Sequence, residues 1–170
     1  MKFAITEPIT QETVNKVLEL VLVSKSNRRD DSLFIYINSP GGDVDAGYAI
    51  YELLRLSGKK VITYAVNQVY SCAVLLYLAG DHRFANNHST FMIHEPYHEL
   101  PADMMTRKAY KSNMEELDEC VNGFFNVICE RSNLTMDKLK KAIIKAPEGD
   151  WYIKVEQAMK LGIVHDIGLP

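Results

Sequence analysis

Residues 34–47 read FIYINSPGGDVDAG. An apolar strand runs into Ser39-Pro40-Gly41-Gly42, and an acidic segment that opens a helix follows at once. Two glycines at such a junction free the backbone from Cβ restrictions, so N–H groups can turn outward at the end of a sheet. Outward amides beside a helix N-terminus hold negative charge, on a ligand or on a transition state. A phosphate loop is disfavoured, because no Lys-Ser or Lys-Thr follows the glycines and the pattern is not G-x-G-x-x-G. An oxyanion site is the better reading, and it directs the search downstream for a nucleophile.

On either side of this stretch the chain alternates strand-like and helix-like segments. Residues 2–6 read as a short strand, and Thr10 caps a helix to about Ser24 with Val14, Val17, Leu18 and Val21 as its apolar stripe. Residues 27–32 form a charged turn, and residues 33–38 are apolar enough for burial on both faces of a sheet. Further on, the pattern predicts a helix over 44–56 ended by Gly58, a strand over 61–66, a short apolar helix over 71–79 and a strand over 90–94. A long helical pattern covers about 102–132, Thr135 caps a second helix to Lys145, and a short helix over 154–161 stops at Gly162. The alternation predicts α/β layering with a mainly parallel sheet. The later helices read as an appended arm. Its apolar residues Met104, Met105, Phe124, Phe125, Val127 and Ile128 predict a docking face, for instance for a second subunit.

At 170 residues the chain is one domain by its length. A net charge of −3 gives no basic footprint for nucleic acid. No apolar run reaches the roughly 20 residues of a membrane span, and the N-terminus has no signal-peptide layout. The three cysteines, Cys72, Cys120 and Cys129, show no metal spacing, and a reduced, cytoplasmic setting is expected.

Three residues are candidates for chemistry. Ser71 precedes an apolar helix, where a plain N-cap is the common role, and it does not match G-x-S-x-G. His94 ends an apolar strand, a place where α/β folds put ligands, although a buried structural His fits there too. Asp150 follows Pro147-Glu148-Gly149 and reads equally as a turn carboxylate. Together they supply a nucleophile, a base and its orienter in the order Ser, His, Asp. Residues 94–98 also spell H-E-x-x-H, but that zinc motif needs a helix, and Pro96 would cost one about 3 kcal/mol. His82, His88 and His165 read as solvated or structural.

The combination resembles the proteolytic subunit of the Clp protease, a serine peptidase on a crotonase-like spiral fold. The likeness rests on FIYINSPGGDVDAGYAIY at 34–51, the segment 66–79, FMIHEP at 91–96 (with Glu95 where the family usually has Gln) and the segment from Asp150 to Val164. It implies an α/β spiral of βα units with a helical handle at about 97–145 and a head at about 1–96 and 146–170. By the same resemblance Ser71 is the nucleophile, His94 the base and Asp150 the orienter. The Gly42 and Cys72 amides form the oxyanion hole, and Gly41 and Gly42 bind substrate. The implied substrates are short peptides or unfolded proteins, cut inside a homo-oligomeric heptamer or double heptamer, with no cofactor in the chain itself. ATP would enter only through a partner AAA+ unfoldase.

The chain departs from the family at three places. It begins almost at its first strand, where relatives carry pore loops that help dock the unfoldase, so weak coupling to an ATPase is expected. Tyr70 and Cys72 flank Ser71 in place of smaller or different residues. Residues 97–103 contain no glycine where the family has a glycine-rich strand that joins rings. Two other functions fit parts of the pattern: a crotonase-like acyl-CoA enzyme, which would not need the three side chains, and a silent structural ring subunit.

Overall fold

The computed structural model describes residues 1–26, 31–97 and 106–169. Four parallel strands lie side by side: β1 (Lys2–Ile5), β2 (Ser32–Ser39), β3 (Lys60–Tyr70) and β4 (His82–Ala85), with β7 (Asp166–Ile167) beyond β4. The crossovers between the first four strands carry α1 (Gln11–Ser26), α2 (Val44–Arg55) and α3 (Ala73–Leu78). β3 belongs to two ladders. Residues 62–65 pair with β4, while residues 68–70 pair with β5 (Thr90–Ile93), and β6 (Trp151–Lys154) adds antiparallel to β5. This branching brings the ends of β3, β5 and β6 to one place. The sheet is therefore mainly parallel, as the alternation predicts.

β2 alternates rather than being buried throughout. Leu33, Ile35 and Ile37 are fully buried, whereas Phe34 and Tyr36 are half-buried, and Tyr36 meets Tyr64 of β3 with ring centroids 5.6 Å apart. Residues two apart share a face, so a helical layer on one side buries only one set. In α1 the buried arc centres on Val17 and includes Val14, Leu20 and Val21; Leu18 falls past its rim and is exposed. α2 starts at Asp43, whose carboxylate accepts the Ala46 N–H at 3.0 Å, and buries Ala46, Gly47, Ile50, Tyr51 and Leu54. A Cβ on Gly47 would stand 3.0 Å from Cys72 Cβ, so the glycine lets α2 close on the start of α3.

α4 (Arg107–Glu130) and α5 (Met136–Lys145) are capped by Thr106 and Thr135. The expected docking face of the arm is largely spent within the chain. Phe124, Phe125 and Ile128 are buried in the hydrophobic core, and Val127 packs against it. No residue of α4 before Val121 is buried. A short 3-10 turn at Pro147–Gly149 leads into β6, and α6 (Val155–Lys160) follows. Met104, Met105, the start of the predicted helix at 102, most of the predicted turn at 27–32 and residues 98–103 lie outside the described residues. β4, β6 and β7 are strands that the sequence pattern does not announce. Among the described residues no helix is long and apolar enough to cross a membrane.

Candidate active site

The end of β3 delivers Ser71 into an unusual backbone. Its φ is +55°, in the left-handed region that costs a residue with a side chain about 1–2 kcal/mol. The helix that follows is N-capped by Cys72, without a side-chain bond, so Ser71 is not the cap that its position in sequence suggests. Its hydroxyl lies 2.7 Å from His94 Nε2 instead. The elbow is held on three sides. Ser71 N–H donates to the Met92 carbonyl at 2.8 Å, and Val74 N–H donates to the Ser71 carbonyl at 3.0 Å. Gly41 lies against it so closely that an added Cβ would stand 2.7 Å from both Ser71 Cβ and the Tyr70 carbonyl.

His94 continues β5, and Asp150 immediately precedes β6. The antiparallel register pairs Ile93 with Trp151, which sets His94 and Asp150 opposite each other at the ladder's end. His94 Nδ1 and Asp150 Oδ1 are 3.6 Å apart, an ion-pair separation longer than a hydrogen bond. Both side chains are half-buried.

The Gly-Gly turn is tied down by the segment after β1. Ile9 N–H donates to the Gly41 carbonyl at 2.8 Å and Asp43 N–H donates to the Ile9 carbonyl at 3.0 Å. Gly41 N–H donates to Ser39 Oγ, which in turn donates to the Glu7 carbonyl. Both polar backbone groups of Gly41 are thus used internally. Gly42 has φ +150°, and a Cβ there would fall 2.3 Å from the Ile9 carbonyl oxygen. Among the described residues, neither Gly42 N–H nor Cys72 N–H donates to a backbone carbonyl. Burial pushes the Cys72 thiol up to about 12, against a smaller opposing effect of the Gly42 and Cys72 backbone amides. A thiol so shifted stays protonated near neutral pH and is no rival nucleophile to the hydroxyl beside it.

Ser71 and His94 open onto a cleft of about 320 Å³ lined also by Pro40, Gly42, Val44, Met92, Pro96 and Tyr97. On the other side of His94 a second hollow, about 560 Å³, reaches Asp150, Glu148 and the Ile143-Ile144 pair of α5. The segment His94–Tyr97 is not helical, so the geometry that gives H-E-x-x-H its meaning is not formed there; His98 lies outside the described residues. Among the described residues no group of three His, Cys, Asp or Glu side chains is placed to hold a metal ion.

Sequence reasoning missed Arg83 and the two glycine contacts. Arg83 is buried and gives its guanidinium to the carbonyls of Gly80, Arg131, Gly162 and Ile163, which locks the segment after α6 to β4. The arginine was visible in the sequence, but its four carbonyl partners come from three separate places.

The family model described as Clp protease matches residues 1–169. The ATP-dependent Clp protease proteolytic subunit 2 of Chlamydia trachomatis serovar D is 31% identical over 168 residues, spanning 96% of this chain and 78% of that protein. The protein of the same description from Treponema pallidum is 26% identical over 161 residues, spanning 94% and 77%. A solved structure of a ClpP1 mutant from Listeria monocytogenes matches with a TM-score of 0.86, covering 99% of this chain and 91% of that one at 24% identity. That likeness establishes the fold, a crotonase-like α/β spiral.

Proposed function

The chain belongs to the Clp protease family of serine peptidases, and from that premise we propose that Ser71, His94 and Asp150 form its hydrolytic triad. The observation that carries the proposal is the 2.7 Å approach of Ser71 Oγ to His94 Nε2 on a strained elbow at the mouth of a cleft. Strain of this kind persists only where the surroundings over-determine it, and it concentrates at functional sites.

In the proposed reaction Ser71 Oγ attacks a peptide carbonyl as its proton passes to His94 Nε2. His94 then returns that proton to the leaving amine. Asp150 holds the Nδ1 proton and stabilises the imidazolium, and its 3.6 Å separation closes to hydrogen-bond length when substrate or a neighbouring subunit settles the site. The amides of Gly42 and Cys72 receive the oxyanion, each contributing a factor of about 10²–10³. Gly41, whose own polar groups are engaged, serves the substrate by leaving room beside Ser71.

The family relationship supports a homo-oligomeric ring, heptameric or doubled, that cuts short peptides or unfolded chains. It also supports an AAA+ unfoldase as partner and as the only route by which ATP enters. No cofactor takes part in the proposed chemistry. An acyl-CoA enzyme on the same fold would leave the Ser71–His94–Asp150 arrangement without a task. The test is cleavage of a fluorogenic peptide by wild type and by Ser71→Ala. We expect complete loss in the variant with assembly intact, and cleavage that survives the substitution would remove Ser71 from the mechanism.

A further inference from the structure

Tyr70, the last residue of β3, stands directly beside the nucleophile. In register it pairs with Met92 of β5, and Met92 pairs in turn with Tyr152 of β6. The three form one row across three strands, and residues so paired share a face. The rings of Tyr70 and Tyr152 come together edge to face, centroids 5.6 Å apart at 90°, although a strand lies between them. Adjacent strands are about 4.8 Å apart, so two steps span nearly 10 Å, and the rings must lean toward each other across Met92. Met92 is buried and also lines the cleft in front of Ser71.

This row lies within two residues of the chemistry on every strand. Ser71 follows Tyr70, His94 is two residues beyond Met92, and Asp150 is two residues before Tyr152. His94 and Asp150 therefore occupy the next row on the same face. The aromatic contact ties β3, which carries the nucleophile, to β6, which extends from the acid. The ladders of β5 with β3 and with β6 each join one neighbouring pair of strands, whereas the Tyr70–Tyr152 contact is a side-chain tie between the two outer strands.

We propose that Tyr70 and Tyr152 are positioning residues, a clamp across β5 that fixes the Ser71 elbow against the His94–Asp150 pair. The proposal rests on the triad reading above. An edge-to-face pair is worth enough to shift the aligned population by up to about tenfold.

The experiment measures kcat, KM and the rate of fluorophosphonate labelling for Tyr70→Leu, Tyr152→Leu, the double variant and Tyr70→Phe. Sedimentation reports assembly in parallel. Leu keeps apolar bulk, so folding is retained, and Phe keeps the ring edge. The expected result is an about tenfold lower kcat and labelling rate in either Leu variant with KM unchanged, no further loss in the double variant, and wild-type rates in Tyr70→Phe. Wild-type kcat in Tyr70→Leu, or losses that multiply in the double variant, would overturn the clamp. Ser71→Ala run alongside separates the two ideas: activity there defeats the triad, whereas a dead Ser71→Ala beside an unaffected Tyr70→Leu defeats only the clamp.

Discussion

Ser71 Oγ lies 2.7 Å from His94 Nε2, whereas the carboxylate of Asp150 is 3.6 Å from the other ring nitrogen. The nucleophile and base are already in contact, and the orienter stands just out of hydrogen-bond reach. Substituting Asp150 by Asn therefore tests whether that last approach matters in turnover. We predict a fall in kcat of about 10³–10⁴-fold with the thermal midpoint and assembly unchanged. Steady-state kinetics and melting curves check it, and wild-type kinetics would assign the orienting role to another carboxylate.

Gly41 makes room for the elbow, since its φ is +95° and a side chain there would meet Ser71 Cβ and the Tyr70 carbonyl. Gly41→Ala should cost about 1–3 kcal/mol of stability and at least about 10² in kcat, because the nucleophile must move. Gly58→Ala is the control. Its φ is +72° but nothing lies within 4 Å of the added carbon, so only a backbone cost of about 1–2 kcal/mol is expected, with activity kept. Denaturant melts and peptide cleavage on both variants distinguish the two effects.

Arg83 joins four carbonyls through a planar fork. Lysine presents its donors at one point and cannot span them, so Arg83→Lys should lose about 2–4 kcal/mol in urea unfolding. At temperatures where the variant remains folded, its kcat should match wild type.

His165 contributes a pH dependence of stability. Burial, with Arg83 next in effect and His82 and Arg131 adding to it, holds its imidazole below the usual 6.5, against the opposing pull of Asp166. The folded state thus favours the neutral ring, whose Nδ1 accepts the Arg83 backbone N–H at 3.3 Å. The stability that this provides is complete above about pH 6.5 and is lost as the pH falls through the lower folded value. Melting temperature should drop over that interval in wild type, and His165→Asn, which retains an acceptor, should flatten the slope. Equal slopes would place the titration elsewhere.

The parts of the site that could be read from the sequence are those carried by local chemistry. The Gly-Gly turn, the apolar strand ending at His94 and the serine before a short helix are each visible in a few adjacent residues. What the sequence hides is how distant segments share one task. A sharp elbow usually announces itself by small residues beside the serine, but here Tyr70 and Cys72 flank it and the space comes from Gly41 on another loop. Asp150 looks like a turn residue until the β5–β6 register sets it opposite His94. β2 reads as buried on both faces because Phe34 and Tyr36 carry large aromatic rings between aliphatic neighbours, yet composition cannot say which face a helix covers. β4 escaped notice because His82 and Arg83 look like surface residues, and Arg83 is buried only by virtue of its carbonyl partners.

The central claim is that Ser71 is an activated nucleophile. Intact-mass measurement after treatment of the assembled protein with a fluorophosphonate probe tests it most directly, with Ser71→Ala as the comparison. The account predicts one adduct on the wild-type chain and none on the variant. An unlabelled wild-type assembly, or equal labelling of both proteins, would contradict it.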